Sequence, residues 1–480
     1  MHNTLPRIIQ GGMGVGVSNW RLAKAVSRLG QLGVVSGTAL DIVMARRLQE
    51  GDPDGDVRRA LRAFTFPQMA QRVLDALFVP GGIQPDKAYK SLDMHALKDK
   101  RMRTELCIVS NFVEIFLARE GHDNPVGINY LEKVQLPHLP SLYGAMLAGV
   151  AVVIVGAGIA VEMPAVLDLL KDHKTAPYSV HVHNAHPDTD TQSVFDPSLY
   201  HEAASGLPPL RRPAFLPIIS SDTLATMFLR KAKGSVGGFV VETPLAGGHN
   251  APPRGALHLT PDGQPIYGPR DVVDLAVLRR LGLPFWLAGS YDSPEQVQAA
   301  LAAGAAGVQV GTAFALCEES GLMPALRRAL VAQALAGQTR VATDPLASPT
   351  GFPFKVAQME GTLSQETIYQ QRRRVCDLGF LREPYRRDDG TIGYRCPAEP
   401  EASFLAKGGR AEALEGRKCV CNALLANIGL GQRLADGTEP CLLTLGDSFA
   451  TIGRFCRPGS LDYRAEDVIR VLLPSSQHSA

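Results

Sequence analysis

A histidine beside two glycines is the clearest candidate for chemistry in this chain. Residues 240–255 read VVETPLAGGHNAPPRG, where a strand-like run ends at Glu242 and a loop presents Gly247, Gly248 and His249. Glycine has no Cβ, so its backbone can approach a planar ligand closely. Histidine titrates near neutral pH and can take or position a proton. We therefore predict His249 as the catalytic residue, with a structural hydrogen bond as the alternative.

Two neighbouring turns built from small residues predict an anion site. Residues 281–320 contain the apolar run PFWLAG, the helical pattern SPEQVQAALAAGA and the apolar run GVQVG. Adjacent turns with free backbone N–H groups bind phosphate, and the last two strands of a (β/α)8 barrel supply such a pair. We expect a phosphorylated cofactor or substrate here. The residues concerned are Gly289, Ser290, Gln309, Gly311 and Thr312.

The cysteines are concentrated near the C-terminus, where six of the eight lie beyond residue 370. Four thiolates could hold a structural zinc ion or an iron–sulfur cluster. Separate reduced thiols are the alternative, and the C-x-C spacing of the closest pair leaves the choice open. The candidate ligands are Cys376, Cys396, Cys419 and Cys421. A histidine-rich stretch is a second candidate for metal binding but is better interpreted as a solvated loop. It contains His181, His183 and His186.

Eight short apolar runs must position these residues. They read RIIQGG, LGVVSG, NPVGINYL, AGVAVVIVGAG, FLPIISS, GGFVVET, PFWLAG and GVQVGTA. Their Val, Ile and Leu content is typical of parallel strands buried on both faces, and eight such strands can close a barrel. Helical patterns alternate with them; the first is predicted to begin at Ser18 as N-cap and to end at Gly30. The predicted fold class is α/β, a TIM-type (β/α)8 barrel.

The barrel pattern is interrupted and then stops. We assign residues 1–340 to the barrel, with a helical insertion at about 40–124 after the second strand. Residues 173–212 are polar and rich in Pro and His, which favours a lid or an edge hairpin. Residues 341–480 are predicted to form a small Cys-rich C-terminal domain.

Composition narrows the function classes. The 480 residues carry a formal net charge of +2, which gives no reason to expect nucleic acid as a partner. We find neither a signal peptide pattern nor an apolar run long enough for a membrane span. The expectation is a cytoplasmic protein with reduced cysteines and no membrane partner.

The turn after the first strand, GGMGVG, is a third glycine-rich loop that could contact a ligand. Its small residues would let a flat ring lie against the backbone, with Met13 as soft apolar cover. The glycines do not have the spacing of a dinucleotide-binding fingerprint. The chain resembles the nitronate monooxygenase (2-nitropropane dioxygenase) family in three segments, which read GGMGVGVSNWRLAKAVSRLGQLGVVSG, VVETPLAGGHNAPPRG and LAGSYDSPEQVQAALAAGAAGVQVGTAFALCEESG. The superfamily also includes FMN-dependent enoyl reductases, and the resemblance extends over roughly residues 5–335.

The resemblance implies an FMN-containing barrel with the flavin ring over its mouth and His249 as catalytic base. The implied FMN contacts are Gly12, Met13 and Gly14 beside the ring, Asn129 near it, Glu242 where the family usually has a glutamine, Gly247 and Gly248 alongside, and Gly289, Ser290, Gln309, Gly311 and Thr312 at the phosphate. Three features depart from the family. Ser220 or Ser221 stands where a lysine often lies close to the flavin, the loop after His249 reads NAPPRG, and Ser290 replaces a glycine.

The leading hypothesis is a nitronate monooxygenase-like enzyme that oxidises an alkyl nitronate, or a similar carbanion-type substrate, with dioxygen. The alternative is an FMN-dependent NAD(P)H enoyl reductase acting on acyl thioesters, for which the C-terminal extension would offer an acyl carrier a docking surface. A third hypothesis is a non-catalytic barrel that binds a phosphorylated ligand, or a subunit whose cysteine-rich domain docks another protein. Substrate identity and a homodimer are left open.

Overall fold

The structure is a computed structural model and describes residues 5–186, 191–202, 206–434 and 437–474. The strands are, in chain order, β1 (Ile8–Gln10), β2 (Gly33–Ser36), β3 (Val126–Leu131), β4 (Val152–Gly156), β5 (Ala176–Ser179), β6 (Gln192–Phe195), β7 (Ala214–Ile219), β8 (Phe239–Glu242), β9 (Phe285–Ala288), β10 (Gly307–Val310), β11 (Val341–Asp344), β12 (Phe354–Ala357), β13 (Glu383–Arg386), β14 (Ile392–Arg395), β15 (Arg433–Leu434) and β16 (Gly437–Thr438).

The α-helices are α1 (Trp20–Arg28), α2 (Leu40–Gln49), α3 (Asp56–Arg62), α4 (Pro67–Leu77), α5 (Arg101–Arg119), α6 (His138–Leu147), α7 (Met163–Leu170), α8 (Asp222–Lys231), α9 (Leu275–Arg280), α10 (Pro294–Ala302), α11 (Thr312–Ala315), α12 (Pro324–Leu335), α13 (Glu366–Gln371), α14 (Glu401–Ala406), α15 (Val420–Ala426) and α16 (Ala465–Leu472). Short 3-10 helices span Pro197–Tyr200, Pro269–Asp271, Ala411–Leu414 and Asp447–Phe455. None of the helices in the described part of the chain is long and apolar enough to cross a membrane.

Eight strands form one parallel sheet in the order β1-β10-β9-β8-β7-β4-β3-β2. A parallel bridge between Ile9 and Leu32, just before β2, joins the two ends of this order. Gln10 N donates to Leu32 O at 2.9 Å, which closes the sheet into a barrel. The predicted (β/α)8 fold is confirmed, and each of the eight apolar runs supplies one strand.

The barrel closes because its strands bury apolar side chains on both faces. Alternate residues form a separate cluster inside the barrel, while their neighbours pack against the surrounding helices. In β1, for example, Ile9 belongs to the inner cluster and Ile8 to the outer core. The inner cluster contains Ile9, Leu32, Val34, Ile154, Leu216, Val240, Trp286 and Ala288.

The first helix begins one residue later than the sequence predicts. Asn19, not Ser18, is the N-cap of α1, and its side chain accepts a hydrogen bond from Leu22 N at 3.0 Å. Ser18 is fully buried and its hydroxyl bonds the preceding turn instead. Both residue types can cap a helix, so only the tertiary position of Ser18 decides between them. Gly30 has a positive φ of 76° and ends the helix as expected.

The two inserted segments differ in structure. Helices α2 to α5 stand between β2 and β3, where we predict a helical insertion, and they pack into the same core as the barrel helices. Strands β5 and β6 form an antiparallel hairpin within residues 173–212. His183 N in the connecting segment donates to Pro384 O in β13 at 2.8 Å. Part of that connection, residues 187–190, lies outside the described residues.

The C-terminal segment packs on the barrel. Phe449, Phe455 and Val468 belong to the same hydrophobic core as the barrel helices. Tyr463 is fully buried, and its hydroxyl donates to Ala313 O in α11, the short helix after β10, at 2.6 Å. A separate domain beginning at residue 341 remains a prediction. The observed packing shows that residues beyond 340 help to build the barrel's surroundings.

Candidate active site

A large cavity opens at the carboxyl ends of the barrel strands. Its empty volume, counted to the open mouth, is about 1460 Å³. In (β/α)8 barrels this face carries the active site. The predicted site residues that line it are Gly12, Met13, Gly14, Asn129, Glu242, Gly247, Gly248, His249, Gly289, Ser290, Gln309, Gly311 and Thr312. Among the residues predicted to catalyse or to bind the cofactor, only Ser220 does not line this cavity.

The turn after β1 forms one wall of the cavity and is held in shape by Ser18. The Ser18 hydroxyl accepts from Met13 N and donates to Gly11 O, both at 2.9 Å. A Cβ on Gly12 would lie 2.4 Å from the Cβ of Asn129 on β3. Gly12 is therefore required by its contact with Asn129. The turn presents backbone rather than side chains to the cavity there.

The turns after β9 and β10 carry the polar groups that a phosphorylated ligand needs. Gly289 has a φ of 110°, and a Cβ there would lie 2.1 Å from Thr243 Oγ1. Ser290 Oγ and Gln309 Oε1 are buried and have no hydrogen-bond partner among the described residues. Buried polar atoms are nearly always paired in folded proteins, so these two indicate a polar ligand. Thr312 Oγ1 already accepts from Gly446 N at 2.9 Å.

These two unpaired atoms fit FMN. Ser290 Oγ can donate to a phosphate oxygen, and Gln309 Oε1 can accept from a hydroxyl or a ring N–H. The glycine-walled turn after β1 leaves backbone, without side chains, on the side where a flat ring would lie. The chemistry of these groups matches a ligand with a phosphate, hydroxyls and a planar ring.

His249 is fixed by contacts with the C-terminal segment. Its Nε2 lies 2.7 Å from Ser348 Oγ, and its ring meets Phe354 edge-on with 4.8 Å between centroids. The neighbouring Gly248 N donates to Thr444 Oγ1 at 2.7 Å. The loop that bears the predicted catalytic residue thus has its geometry set by residues about a hundred or more positions away.

Gly247 has a different reason to be glycine from the one that the sequence suggests. A Cβ on Gly247 would lie 2.9 Å from the carbonyl carbon of Leu445. The close approach is therefore to the backbone of the C-terminal segment. Gly248, by contrast, has a φ of 84° and open space where a Cβ would stand.

Burial shifts the protonation of the polar groups at the mouth. It raises the pKa of Glu242 to about 8, against an opposing effect of Lys133. Burial also lowers the pKa of His249 to about 3, with a further contribution from Lys133. The pKa of Lys133 itself is lowered by burial to about 6, although Glu242 opposes this. Near neutral pH, Glu242 is then a neutral carboxylic acid and His249 a neutral imidazole.

Lys133 is the polar residue that the sequence reasoning missed. Its Nζ lies 3.1 Å from the centre of the Phe352 ring and has no hydrogen-bond partner among the described residues. Its position two residues beyond β3 could have indicated it, because catalytic groups lie at that end of a barrel. Lys133 follows β3, whereas the lysine that the family often has belongs to the strand before the His249 loop.

The apolar wall of the cavity was also missed. Four side chains from the C-terminal segment complete that wall, and Cys421 lies beside them. They come from two stretches far apart in sequence, neither with a pattern that marks a site. The four are Phe380, Leu381, Val420 and Leu424.

Ser220, predicted to stand in place of the family's lysine, does not line the main cavity. It lines a smaller neighbouring cavity of about 350 Å³, which shares Glu242 with the main one. Ser221 is the N-cap of α8 and accepts from Leu224 N at 3.1 Å. The backbone turns into α8 at this point, so helix capping takes up Ser221.

The candidate metal ligands differ in whether the structure brings them together. Cys376, Cys396, Cys419 and Cys421 line one small cavity. Among the described residues, the predicted histidine stretch contributes no close group of three metal ligands. A compact group does exist at Asp41, His95 and Cys107, but Arg103 Nη2 lies 2.8 Å from Asp41 Oδ2 and supplies the positive charge there.

The fold is a (β/α)8 barrel with a cavity at the carboxyl ends of its strands. Residues 214–345 match the family model for nitronate monooxygenase, which confirms the resemblance. Over these residues the chain is similar to the nitronate monooxygenases, which are oxidoreductases. The matched segment contains the His249 loop and both turns that are predicted to bind phosphate. No curated protein matches the chain.

Solved structures with related architecture are distant. FabK from Thermotoga maritima is 17% identical with a TM-score of 0.48, over 98% of this chain and 91% of that one. Nitroalkane oxidase from Streptomyces ansochromogenes is 17% identical with a TM-score of 0.44, over 97% and 94%. The enoyl reductase domain of MlnA from Bacillus amyloliquefaciens is 11% identical with a TM-score of 0.45, over 97% and 93%. These similarities are too low to support an argument, so the fold assignment rests on the strand order of the barrel itself.

Proposed function

We propose that the protein is an FMN-dependent reductase of an α,β-unsaturated acyl thioester, with NAD(P)H as reductant. The observation that carries this proposal is the character of the cavity. Its outer wall is apolar, and no lysine or arginine is among the described residues that line it. An uncharged, elongated substrate matches such a wall better than an anion does.

The cavity is open at its mouth. A substrate or a nicotinamide would reach a flavin bound against the turns from that side. FMN, when bound, would supply the hydride transfer between reductant and substrate.

The residues of the chain would bind and orient. Ser290 would donate to the phosphate of FMN, and Gln309 would accept from its hydroxyls or ring. Glu242, protonated below a pKa of about 8, would present a neutral hydrogen-bonding group where the family usually has a glutamine. Its protonated form can donate as an amide does.

His249 suits a positioning role more than that of a base. Its pKa of about 3 leaves little driving force for removing a proton from carbon. The neutral ring shares a hydrogen bond with Ser348, and one ring nitrogen remains for a substrate carbonyl. This protonation state argues against abstraction of a proton from a nitroalkane.

Nitronate oxidation with dioxygen is the second candidate. The family match over residues 214–345 supports it, because the match includes the His249 loop. An alkyl nitronate is already an anion and needs no base, but it would bring a charge into a cavity lined by no lysine or arginine among the described residues. Lys133, which interacts with Glu242, has a pKa of about 6. Burying an unpaired charge is costly.

Anaerobic reduction trials separate these functions. The full chain, loaded with FMN, is mixed with NADPH, NADH or an alkyl nitronate, and the flavin absorbance is followed. We expect reduction by a nicotinamide and reoxidation by an enoyl thioester, with a lower KM for a longer acyl chain. Reduction by the nitronate alone would support the second candidate. A preparation that binds no FMN would leave only a non-catalytic barrel.

A further inference from the structure

Four cysteines that are distant in sequence meet at one cavity. Cys376 follows α13, Cys396 follows β14, Cys419 is the N-cap of α15, and Cys421 lies in its first turn. All four line a cavity of about 290 Å³, and none is in a disulfide. Chance surface thiols would not converge from three separate elements on one interior space.

Three of the four cysteines also pack against one another. Cys396, Cys419 and Cys421 form one small cluster together with Ala398. The side-chain amide of Asn422 donates to Cys419 Sγ at 3.8 Å. Donors from the surrounding protein to cysteine sulfur are a general feature of metal-cluster sites.

One cationic side chain faces the same cavity. Arg382 lines it together with the four cysteines. The Arg382 guanidinium is held by the backbone oxygens of Gly379 and His95 and has no carboxylate partner among the described residues. Four thiolates bound to a metal centre carry net negative charge, which such a guanidinium group offsets in part.

The sulfurs stand further apart than a single zinc ion requires. A zinc ion binds sulfur at about 2.3 Å, so the four sulfurs of a tetrahedral site lie about 3.8 Å apart. Among the described residues, no three of these cysteines bring their sulfurs within 4.8 Å of one another. A cluster separates its thiolates further, because iron and sulfide stand between them.

We propose that Cys376, Cys396, Cys419 and Cys421 ligate a [4Fe–4S] cluster, one cysteine to each iron. Leu381, Val420 and Cys421 line both this cavity and the candidate active site. The cluster would therefore lie directly behind the apolar wall of the FMN cavity. This site does not depend on which substrate the enzyme takes.

Metal analysis of the full chain tests the proposal. The protein is produced with iron and cysteine supplied and is purified without oxygen. Iron, acid-labile sulfide and zinc are then measured, and an electron paramagnetic resonance spectrum is taken after dithionite reduction. We expect about four irons and four sulfides per chain, as the cluster formula requires. One zinc without iron, or no metal at all, would overturn the proposal.

Single substitutions locate the ligands. Cys376→Ser and Cys419→Ser are expected to lose most of the iron, whereas Cys441→Ser and Cys456→Ser, which lie outside the cavity, should retain it. Iron kept in full by the first pair would also overturn the assignment. If a variant does not fold, the stoichiometry and spectrum of the unsubstituted chain still decide the matter.

Discussion

His249 Nε2 and Ser348 Oγ lie 2.7 Å apart and join the barrel loop to the C-terminal segment. Ser348 is fully buried, so this hydrogen bond is shielded from water. Replacing Ser348 with alanine would free the imidazole to rotate. One hydrogen bond contributes roughly 0.5–1.5 kcal/mol, so we expect kcat to fall about 3- to 10-fold with FMN content unchanged.

Thr350→Val is the matched control for this substitution. Thr350 Oγ1 bonds the same hydroxyl at 2.9 Å, so its loss spares the contact with His249. Steady-state kinetics on both variants provide the measurement. An equal loss of kcat in the two would mean that Ser348 acts through the local fold and not through His249.

Glu242 sets an alkaline limit on activity. Burial raises its pKa from 4.5 to about 8, so it is neutral near pH 7 and becomes a buried anion above pH 8. We expect activity to decline as the pH rises through about 8, and the decline to vanish in Glu242→Gln. Between pH 4.5 and 8 the native state binds more protons than the unfolded state, so unfolding free energy also falls with pH across that window.

Lys133→Met is the control for that limit. The pKa of Lys133 is about 6, so its amine is already neutral where Glu242 titrates, and its removal should leave the alkaline decline near pH 8. The pH profile of kcat/KM is the measurement. A profile that is the same in the wild type and in Glu242→Gln would assign the limit to another group.

Gly12→Ala should abolish FMN binding or folding. The new methyl would lie 2.4 Å from the Cβ of Asn129, a distance that real structures do not show. Gly268→Ala is the control, because nothing lies within 4 Å of a Cβ there. The double substitution Gly12→Ala with Asn129→Gly removes the clashing atom and should recover part of the binding. FMN content after gel filtration is the readout.

Ser290→Ala should weaken FMN binding through the phosphate. Its buried hydroxyl has no protein partner among the described residues, so a ligand is the group it would bond. A hydrogen bond to a charged group contributes about 1.5–3 kcal/mol, which predicts a Kd roughly 10- to 100-fold higher. Titration of the flavin-free chain with FMN and with riboflavin gives the comparison. Equal weakening for riboflavin, which lacks the phosphate, would contradict the assignment.

Phe449→Ala tests whether the C-terminal segment is part of the barrel core. Phe449 is completely buried, and truncation of such a ring costs about 3–5 kcal/mol. Leu405, which is 45% exposed, provides a control substitution to alanine with little expected effect. Urea unfolding should show one transition at lower midpoint for Phe449→Ala. Two separate transitions, with the barrel unaffected, would instead support an independent domain after residue 340.

The sequence by itself predicted the barrel strands and the two small-residue turns that follow β9 and β10. Apolar runs such as those around Ile9 and Val240 predict parallel strands buried on both faces, and eight such strands are the number that a closed barrel needs. The turns at Gly289 and Gly311 are built from residues adjacent in sequence, so an anion site there can be predicted from the sequence alone.

Only the tertiary structure decided what surrounds His249 and where the thiols meet. Ser348, Leu445 and Leu381 reach the cavity from a segment without a readable period, and hydrogen bonds across such distances leave no trace in sequence spacing. Burial, which makes Glu242 neutral and His249 a weak base, likewise exists only once the C-terminal segment covers the barrel mouth. Desolvation depends on every neighbour at once, and no single segment of sequence contains it.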